Sequence, residues 1–420
     1  MSRRELAVLL GGKQIANLYS GSGAPARCRL TYLADSGDTP LSLKLPLQVR
    51  RHKHEAVHPF LEGLLPDNLT VLESTARRFG VSARDTVGLL SYIGADCAGA
   101  VQFCAPDAVE RLLSRSSELV PVGEQRIGER LNALRTGQAT SWLIDEQRWS
   151  LAGFQPKLAL HRTGSGWADA SGDIPSTHIV KPGIASLSFQ ALNEHVCLLA
   201  AAELGLNVAS SEYASFAGEP AIIVTRYDRL RLDGDKVVRV HQEDLCQALG
   251  YSTRMKYESD GGPSALQILR LLSDYCAPDD CYRFVAYLAY NYLVGAPDSH
   301  AKNFSVLLVG DTVRLAPMYD VASVFPYETE QSSELNKLAF AIGGARVFGT
   351  LTARNWGTLA VQAGLDEQRV VDIVYDLARR LPDAMKTVLE RHSTVSGTKE
   401  LSLRLLPRLT QNCASAVSTY

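Results

Sequence analysis

Asp298-Ser299-His300-Ala301-Lys302-Asn303 is the stretch that decides the fold. It lies between two apolar runs, YLAYNYLVGA (287–296) and FSVLLV (304–309). An Asp and an Asn five positions apart on a loop have the spacing of a kinase catalytic loop, D-x-x-x-x-N. The Asp must accept or orient a hydroxyl proton while the Asn side-chain oxygen reaches a Mg²⁺ on nucleotide phosphates. A short loop can aim both groups at one site. Further on, Met318-Tyr319-Asp320 follows the strand-like VRLAP and supplies a second isolated carboxylate for the metal that bridges the phosphates.

The bulk properties leave room for such an enzyme. At 420 residues the chain exceeds one compact core. It is 46% apolar and 21% charged, ordinary globular usage. A net charge of −2 gives no global pull toward nucleic acid or membrane. The basic cluster Arg50-Arg51-His52-Lys53-His54 reads as a solvated face. His52, His54 and His58 fit no ligand spacing. Eight scattered cysteines include no C-x-x-C pair, so neither a zinc framework nor a disulfide scaffold is expected. The N-terminal apolar run is too short for a signal peptide, and no stretch is long enough to span a bilayer. A cytoplasmic protein with reduced thiols and no membrane partner is the expectation.

Working outward, Glu5–Leu10 and Lys13–Tyr19 flank Gly11-Gly12 and predict a β-hairpin. Arg27–Leu33 reads as another strand. From Glu55 the spacing of Phe60, Leu61, Leu64 and Leu65 predicts a helix interrupted at Pro66. Asn68 caps the next helix, which Gly80 ends. After a charge-rich amphipathic segment come the strands Lys157–His161, Thr177–Lys181 and Ala221–Arg226, with a helix over Asn193–Leu204. Helices dominate from Gln242, including Asp366–Leu381 with Val370, Val371, Val374 and Leu377 on one face. The acidic run Tyr327–Asn336 predicts a mobile loop. With Glu328, Glu330 and Glu334 beyond Asp320, it favours a basic target segment. The fold class expected is α+β: a two-lobed protein-kinase-like fold with a β-rich N-lobe (107–226) and a helical C-lobe (227–420). A small α+β subdomain (1–106) precedes it.

Phosphoryl transfer needs charge neutralisation, metal placement and an oriented nucleophile more than covalent help. Ser150-Leu-Ala-Gly-Phe-Gln-Pro-Lys157 joins two strand-like segments, and Gly153 lets backbone approach phosphates. The same stretch also fits an ordinary turn. Lys181 ends the strand THIVK and is placed to meet the α/β-phosphates, or it is a surface lysine. Glu194, at the start of the following helix, is its natural ion-pair partner, or a first-turn acid favoured by the helix dipole. Thr225-Arg226-Tyr227 follows the strand AIIV where a hinge between lobes falls. Backbone groups of Thr225 and Tyr227 would read adenine there. His300 fixes the loop by hydrogen bonding or reaches the nucleotide. Lys302 meets the transferring phosphate or faces solvent.

These segments together resemble the HipA-type toxin kinases of bacterial toxin–antitoxin modules, over nearly the whole chain. FLEGLLPDN (60–68) and IGADCAGA (93–100) resemble the N-terminal coupling region. SLAGFQPKLAL (150–160), THIVKPG (177–183), NEHVCLLAAAELGL (193–206), VTRYDR (224–229), HQEDLCQALG (241–250) and KYESDGGPS (256–264) follow. GAPDSHAKNFS (295–305) and PMYDVASVFP (317–326) complete the set. The role of Tyr257–Ser264 is not evident from its residues, beyond an acidic turn before a helix.

The resemblance implies a protein serine/threonine kinase using ATP and Mg²⁺. Asp298 would be catalytic, with Asn303 and Asp320 as metal ligands. Lys181 would contact phosphates and Ala152, Gly153, Phe154, Gln155, Pro156 and Lys157 would cover them. Thr225, Arg226 and Tyr227 would hold adenine, with further nucleotide contacts from His300, Ala301, Lys302 and Tyr319. Ser150 matches the family's autophosphorylated serine. Family targets are aminoacyl-tRNA synthetases, notably the glutamyl enzyme, so activity arrests translation and growth. A small HipB-like helix-turn-helix antitoxin holds the kinase inactive and represses the operon, linking it to operator DNA. Phe154 replaces a small residue and Thr225 a commonly acidic one. Two rival functions remain open: a small-molecule phosphotransferase, and a catalytically idle kinase-like co-repressor.

Overall fold

The computed structural model describes residues 4–21, 27–113, 118–137, 149–171, 173–233, 236–327 and 336–419. Glu328, Glu330 and Glu334 of the acidic run lie outside the described residues. The chain forms two compact units, each assembled from separate stretches. The first comprises Met1–Pro182, Ala214–Arg254 and Val306–Val313; the second, Gly183–Tyr213, Met255–Ser305 and Arg314–Tyr420.

The first unit opens with the hairpin Arg4–Leu10 and Lys13–Ser20. Leu10 faces Lys13 across the turn, and Gly11 and Gly12 have φ of 58° and 81°, the positive values a two-residue turn needs. Leu6, Ala7, Val8 and Leu9 are all buried because this strand is covered on both faces. Leu6 and Val8 join the main core, whereas Ala7 and Leu9 meet Cys104 and Leu112. The five-stranded sheet runs Arg51–His52, Cys28–Tyr32, Lys13–Ser20, Arg4–Leu10, Val101–Cys104. Helix His54–Gly63 ends before Pro66. Helix Leu69–Arg78 is capped by the Asn68 side chain, which accepts from Thr70 and Val71 N–H. Helix Thr86–Ile93 and strand Val101–Cys104 carry weaker patterns and are additions to the sequence expectation. Helix 86–93 is buried almost all round, and the strand has too few residues to alternate.

A six-stranded sheet follows in the order Ser211–Phe216, Glu219–Thr225, His178–Pro182, Leu158–Thr163, Gly166–Ala170, Leu119–Val122. Strands Glu219–Thr225 and His178–Pro182 are antiparallel, with Ile222 opposite Lys181. One apolar cluster runs through both sheets, from Leu6, Val8, Phe60 and Phe103 to Trp149, Leu158, Val180 and Ile223. Described residues of both the 1–106 and the 107–182 stretches contribute to this one cluster.

The second unit is helical. Pro278–Val294 is buried continuously from Phe284 onward, as expected of a helix apolar on all sides. Its C-terminus stops at Gly295, with φ of 73°, and the chain enters the Asp298 loop. Helix Gln190–Glu203 packs on Glu367–Arg391, which also packs on Thr398–Val417. Glu367–Arg391 runs through Pro382 because Met385, Val388 and Leu389 continue its buried face beyond the expected end at Leu381. Helix Gln190–Glu203 begins three residues before the expected Asn193. Glu194 thus sits in its second turn, 1% exposed, and is not a first-turn dipole residue. Among the described residues no helix is long and apolar enough to cross a membrane. All eight cysteines are free thiols.

Candidate active site

In the second unit the stretch 298–303 is a tight loop closed by its own polar groups. Asn303 Nδ2 donates to the Asp298 carbonyl at 2.6 Å, and Asn303 N–H donates to the His300 carbonyl at 2.9 Å. This bond uses the amide nitrogen and leaves the Asn303 side-chain oxygen chemically able to accept. Ala301 N–H donates to the Lys256 carbonyl at 3.2 Å, tying the loop to the segment before Tyr257. The Asp298 carboxylate is 70% exposed. Its Oδ1 accepts a short hydrogen bond from the Tyr257 hydroxyl. His300 Nε2 lies 3.7 Å from the same oxygen, beyond hydrogen-bond range, and its ring stands edge-on to Tyr257 at 4.9 Å.

Tyr257 is the residue beside Asp298 that sequence reasoning missed. The quoted stretch KYESDGGPS was the available signal. Its backbone explains the composition: Gly262 N–H donates to the Tyr257 carbonyl at 3.0 Å, closing a turn. A Cβ on Gly262 would fall 1.9 Å from the Met255 carbonyl oxygen, so glycine is required. Glu258 accepts from Ala341 N–H at 2.6 Å, and Ser264 with Gln267 forms a capping box on helix Ala265–Tyr275. The segment is a wound support that brings the Tyr257 hydroxyl to Asp298. Tyr257→Phe should lower transfer about tenfold, the value of one hydrogen bond to a charged group, with Mg-ATP affinity unchanged. Steady-state kinetics and calorimetry on the same protein check both halves.

Lys302 is buried and does not face solvent. Its carbonyl accepts from the Tyr319 hydroxyl at 2.9 Å, and that hydroxyl meets Ser305 Oγ at 2.7 Å. Tyr319 thereby joins the two polar loops. Met318 N–H donates to the Asn207 carbonyl and Ala209 N–H to the Met318 carbonyl, fixing the approach to Asp320. Asp320 has φ of 58°, a left-handed conformation uncommon for a non-glycine residue. Such backbone persists where the surroundings over-determine it, often at functional sites.

The first unit holds Ser150, 152–157, Lys181 and 225–227. Lys181 is buried on the central strand His178–Pro182, so it is not a surface lysine. Gly153 has φ of 108°, and a Cβ there would come within 2.5 Å of Lys157 Nζ. Lys157 Nζ donates to the Ala152 carbonyl at 2.6 Å, and Gln155 Nε2 to the Pro182 carbonyl at 3.0 Å. Phe154 is 66% exposed, so the bulky ring in place of a small residue meets no steric limit. Asp67 N–H donates to the Gly153 carbonyl at 3.1 Å, and Pro66 bridges Gly153. Ser150 is 1% exposed, with its hydroxyl donating to the Leu64 carbonyl at 2.7 Å. The FLEGLLPDN stretch thus supports the 150–157 segment from behind.

The VTRYDR and IGADCAGA stretches meet in a buried ion cluster. Arg226 Nε and Nη2 donate to Asp228 at 3.0 and 2.9 Å, and Nη2 also to the Cys97 carbonyl. Arg229 donates to Asp96 Oδ1 at 2.8 Å, to Asp228 Oδ2 and to the Gly99 and Cys97 carbonyls. Gly99 N–H donates to Asp228 at 2.7 Å. Burial pushes the Asp96 carboxyl up, but Arg229, Arg226 and Arg239 outweigh it and hold it well below the usual carboxylate range. Arg226 N–H donates to the Thr177 carbonyl at 3.0 Å. Its amide and guanidinium are both committed inside the protein. Glu194, Asp298, Asn303 and Asp320 all belong to the second unit, and Lys181 to the first.

Two family models match, the HipA N-terminal domain over residues 6–104 and the HipA-like C-terminal domain over 149–385. The chain is 35% identical over 364 residues to the putative kinase Y4mE of Sinorhizobium fredii, covering 86% of this chain and 85% of that protein. It is 30% identical over 401 residues to the serine/threonine-protein kinase toxin HipA of Shewanella oneidensis, covering 91% and 85%. The solved complex of Shewanella oneidensis HipA with HipB and its operator DNA superposes with a TM-score of 0.85 at 28% identity, over 98% of this chain and 97% of that one. The α+β, two-lobed kinase-like architecture expected from the D-x-x-x-x-N loop is therefore the observed one, and the chain belongs to the HipA family of kinases.

Proposed function

We propose that the protein is an ATP- and Mg²⁺-dependent protein serine/threonine kinase that serves as the toxin of a HipA/HipB-like module. The observation that carries this reading is the 298–303 loop. One carboxylate oxygen of Asp298 is held by Tyr257, and Asn303 is anchored through its amide nitrogen, which leaves its oxygen as an acceptor. That arrangement suits proton handling by Asp298 and metal binding by Asn303 with Asp320. Two oxygen donors fit a Mg²⁺ ligated chiefly by phosphates and water. Among the described residues no group of three or more His, Cys, Asp or Glu could hold a metal, which fits a nucleotide-borne cation better than a protein cage. When bound, Mg²⁺ would neutralise charge developing on the phosphates.

In this reading Asp298 takes the hydroxyl proton of the acceptor, Lys181 neutralises phosphate charge, and residues 152–157 cover the phosphates. The intact acid loop argues against a catalytically idle co-repressor. The acceptor is an aminoacyl-tRNA synthetase, the glutamyl enzyme first, so that transfer arrests translation and growth. Ser150 is the autophosphorylation site. A HipB-like helix-turn-helix antitoxin is the partner, and operator DNA is reached mainly through it. The Shewanella oneidensis complex of HipA, HipB and operator DNA supports these partners.

The test is radiolabelled transfer from Mg-ATP to purified glutamyl-tRNA synthetase, run beside a metabolite panel. Label on the synthetase alone supports the protein-kinase reading, and label on a metabolite favours a small-molecule phosphotransferase. Asp320→Asn should weaken Mg²⁺-dependent ATP binding about tenfold or more, because one metal ligand loses its charge. An unchanged Mg²⁺ dependence in calorimetry would count against the metal role of Asp320.

A further inference from the structure

We infer that Asp96 is a positioning residue for nucleotide binding: its buried carboxylate ties two nucleotide elements together, and its backbone carbonyl ties them to a third. The inference rests on the nucleotide site proposed above and extends it to a residue with no place in that site.

Asp96 lies just past helix Thr86–Ile93, inside the region matched by the N-terminal family model. Its carbonyl accepts from Ser150 N–H at 2.9 Å, and Asp96 bridges Trp149 in parallel. This fixes the entry to the 152–157 loop. Its Oδ2 accepts from Ser176 N–H at 3.0 Å and Ser176 Oγ–H at 2.6 Å, two residues before the strand that carries Lys181. The same oxygen lies 3.4 Å from Arg226 Nη1, whose backbone stands between Thr225 and Tyr227. Ser176 Oγ also accepts from Arg226 Nη1 at 2.8 Å, closing the connection between the last two elements. All of these residues belong to the first unit.

The three elements are far apart in sequence, at 150, 176 and 226. All three bond to one residue that never needs to touch the nucleotide, the first to its backbone carbonyl and the other two to its carboxylate. Oδ1 is held in turn by Arg229 at 2.8 Å, with Arg239 3.5 Å away, so the carboxylate has little freedom. Loosening it lets the Lys181 strand and the hinge shift relative to the loop entry, which stays bonded to the Asp96 backbone carbonyl. The arrangement that binds ATP then becomes one of several, and apparent affinity falls by the fraction lost. A purely structural role would lower the melting temperature and leave affinity untouched in protein that remains folded.

The experiment titrates Mg-ATP calorimetrically into the full chain, well below its melting transition, for wild type, Asp96→Asn, Ser176→Ala and Lys181→Ala. Asp96→Asn should weaken binding about tenfold or more, and Ser176→Ala about threefold to tenfold, less than the full worth of the lost hydrogen bonds because both residues act on the nucleotide only through their neighbours. Folded Asp96→Asn and Ser176→Ala proteins that bind like wild type overturn the inference. If Asp96→Asn does not fold, Ser176→Ala decides by the same criterion. The two possible failures look different. Wild type without ATP binding, or Lys181→Ala binding as tightly as wild type, removes the nucleotide site itself and this inference with it. Binding that depends on Lys181 and ignores Asp96 removes only the positioning role.

Discussion

Asp298→Asn should lower phosphoryl transfer by about 10²–10⁴-fold or more with Mg-ATP affinity little changed. The substitution is nearly isosteric. The Asn303 bond goes to the backbone carbonyl of residue 298, not to its side chain, so the loop should keep its shape. Tyr257 can still donate to the remaining side-chain oxygen. What is lost is a group able to take the acceptor's hydroxyl proton. The loss should therefore appear in the rate of transfer at saturating ATP and not in binding. Single-turnover transfer and calorimetric titration, measured on one preparation, separate these quantities. Transfer at the wild-type rate would remove Asp298 from the mechanism. This variant also supplies a reference chain that cannot label itself.

Phosphorylation of Ser150 should weaken Mg-ATP binding by at least about a hundredfold, through loss of the ATP-competent loop. The Ser150 hydroxyl is buried and donates to the Leu64 carbonyl. A phosphoserine brings about −1.5 to −2 charges and only acceptor oxygens, which would face that carbonyl acceptor in a water-poor site. The phosphorylated segment has to leave. Its departure breaks the Ser150–Asp96 backbone bond and pulls on the Gly153–Asp67 bond three residues later. Residues 152–157 then lose the support that holds them in place, while Asp298, Asn303 and Asp320 are untouched. The measurement is incubation with Mg-ATP, location of phosphate by mass spectrometry, and ATP affinity before and after. Asp298→Asn, incubated in parallel, gives the unphosphorylated baseline. Phosphate on Ser150 with full ATP affinity retained would refute the switch.

Much of the 298–303 loop was legible in the sequence because its geometry is local. Asp298 and Asn303 are five residues apart, and a loop that short leaves few ways to arrange them. The Gly11-Gly12 hairpin, the Asn68 cap and the buried helix before Gly295 were legible for the same reason: each depends on neighbours within a turn or two. Helix ends were less so. Glu194 was expected in a first turn and lies in the second, because burial against the helix Glu367–Arg391 extends the helix back to Gln190.

Only the tertiary structure decided which distant stretches support the loops. Tyr257 meets Asp298 across 41 positions of chain, and Asp96 meets Arg226 across 130. Nothing in the spacing of KYESDGGPS or IGADCAGA signals those partners, since hydrogen bonds between remote segments leave no period in the sequence. The same holds for the common core of residues 1–106 and the six-stranded sheet, which no boundary signal anticipates. The sequence by itself determined the chemistry on offer, an acid loop, a lysine at a strand end and a glycine-dependent turn. Burial and long-range hydrogen bonding decided how rigidly each is held, because an exposed side chain becomes a fixed one only when a second segment closes over it.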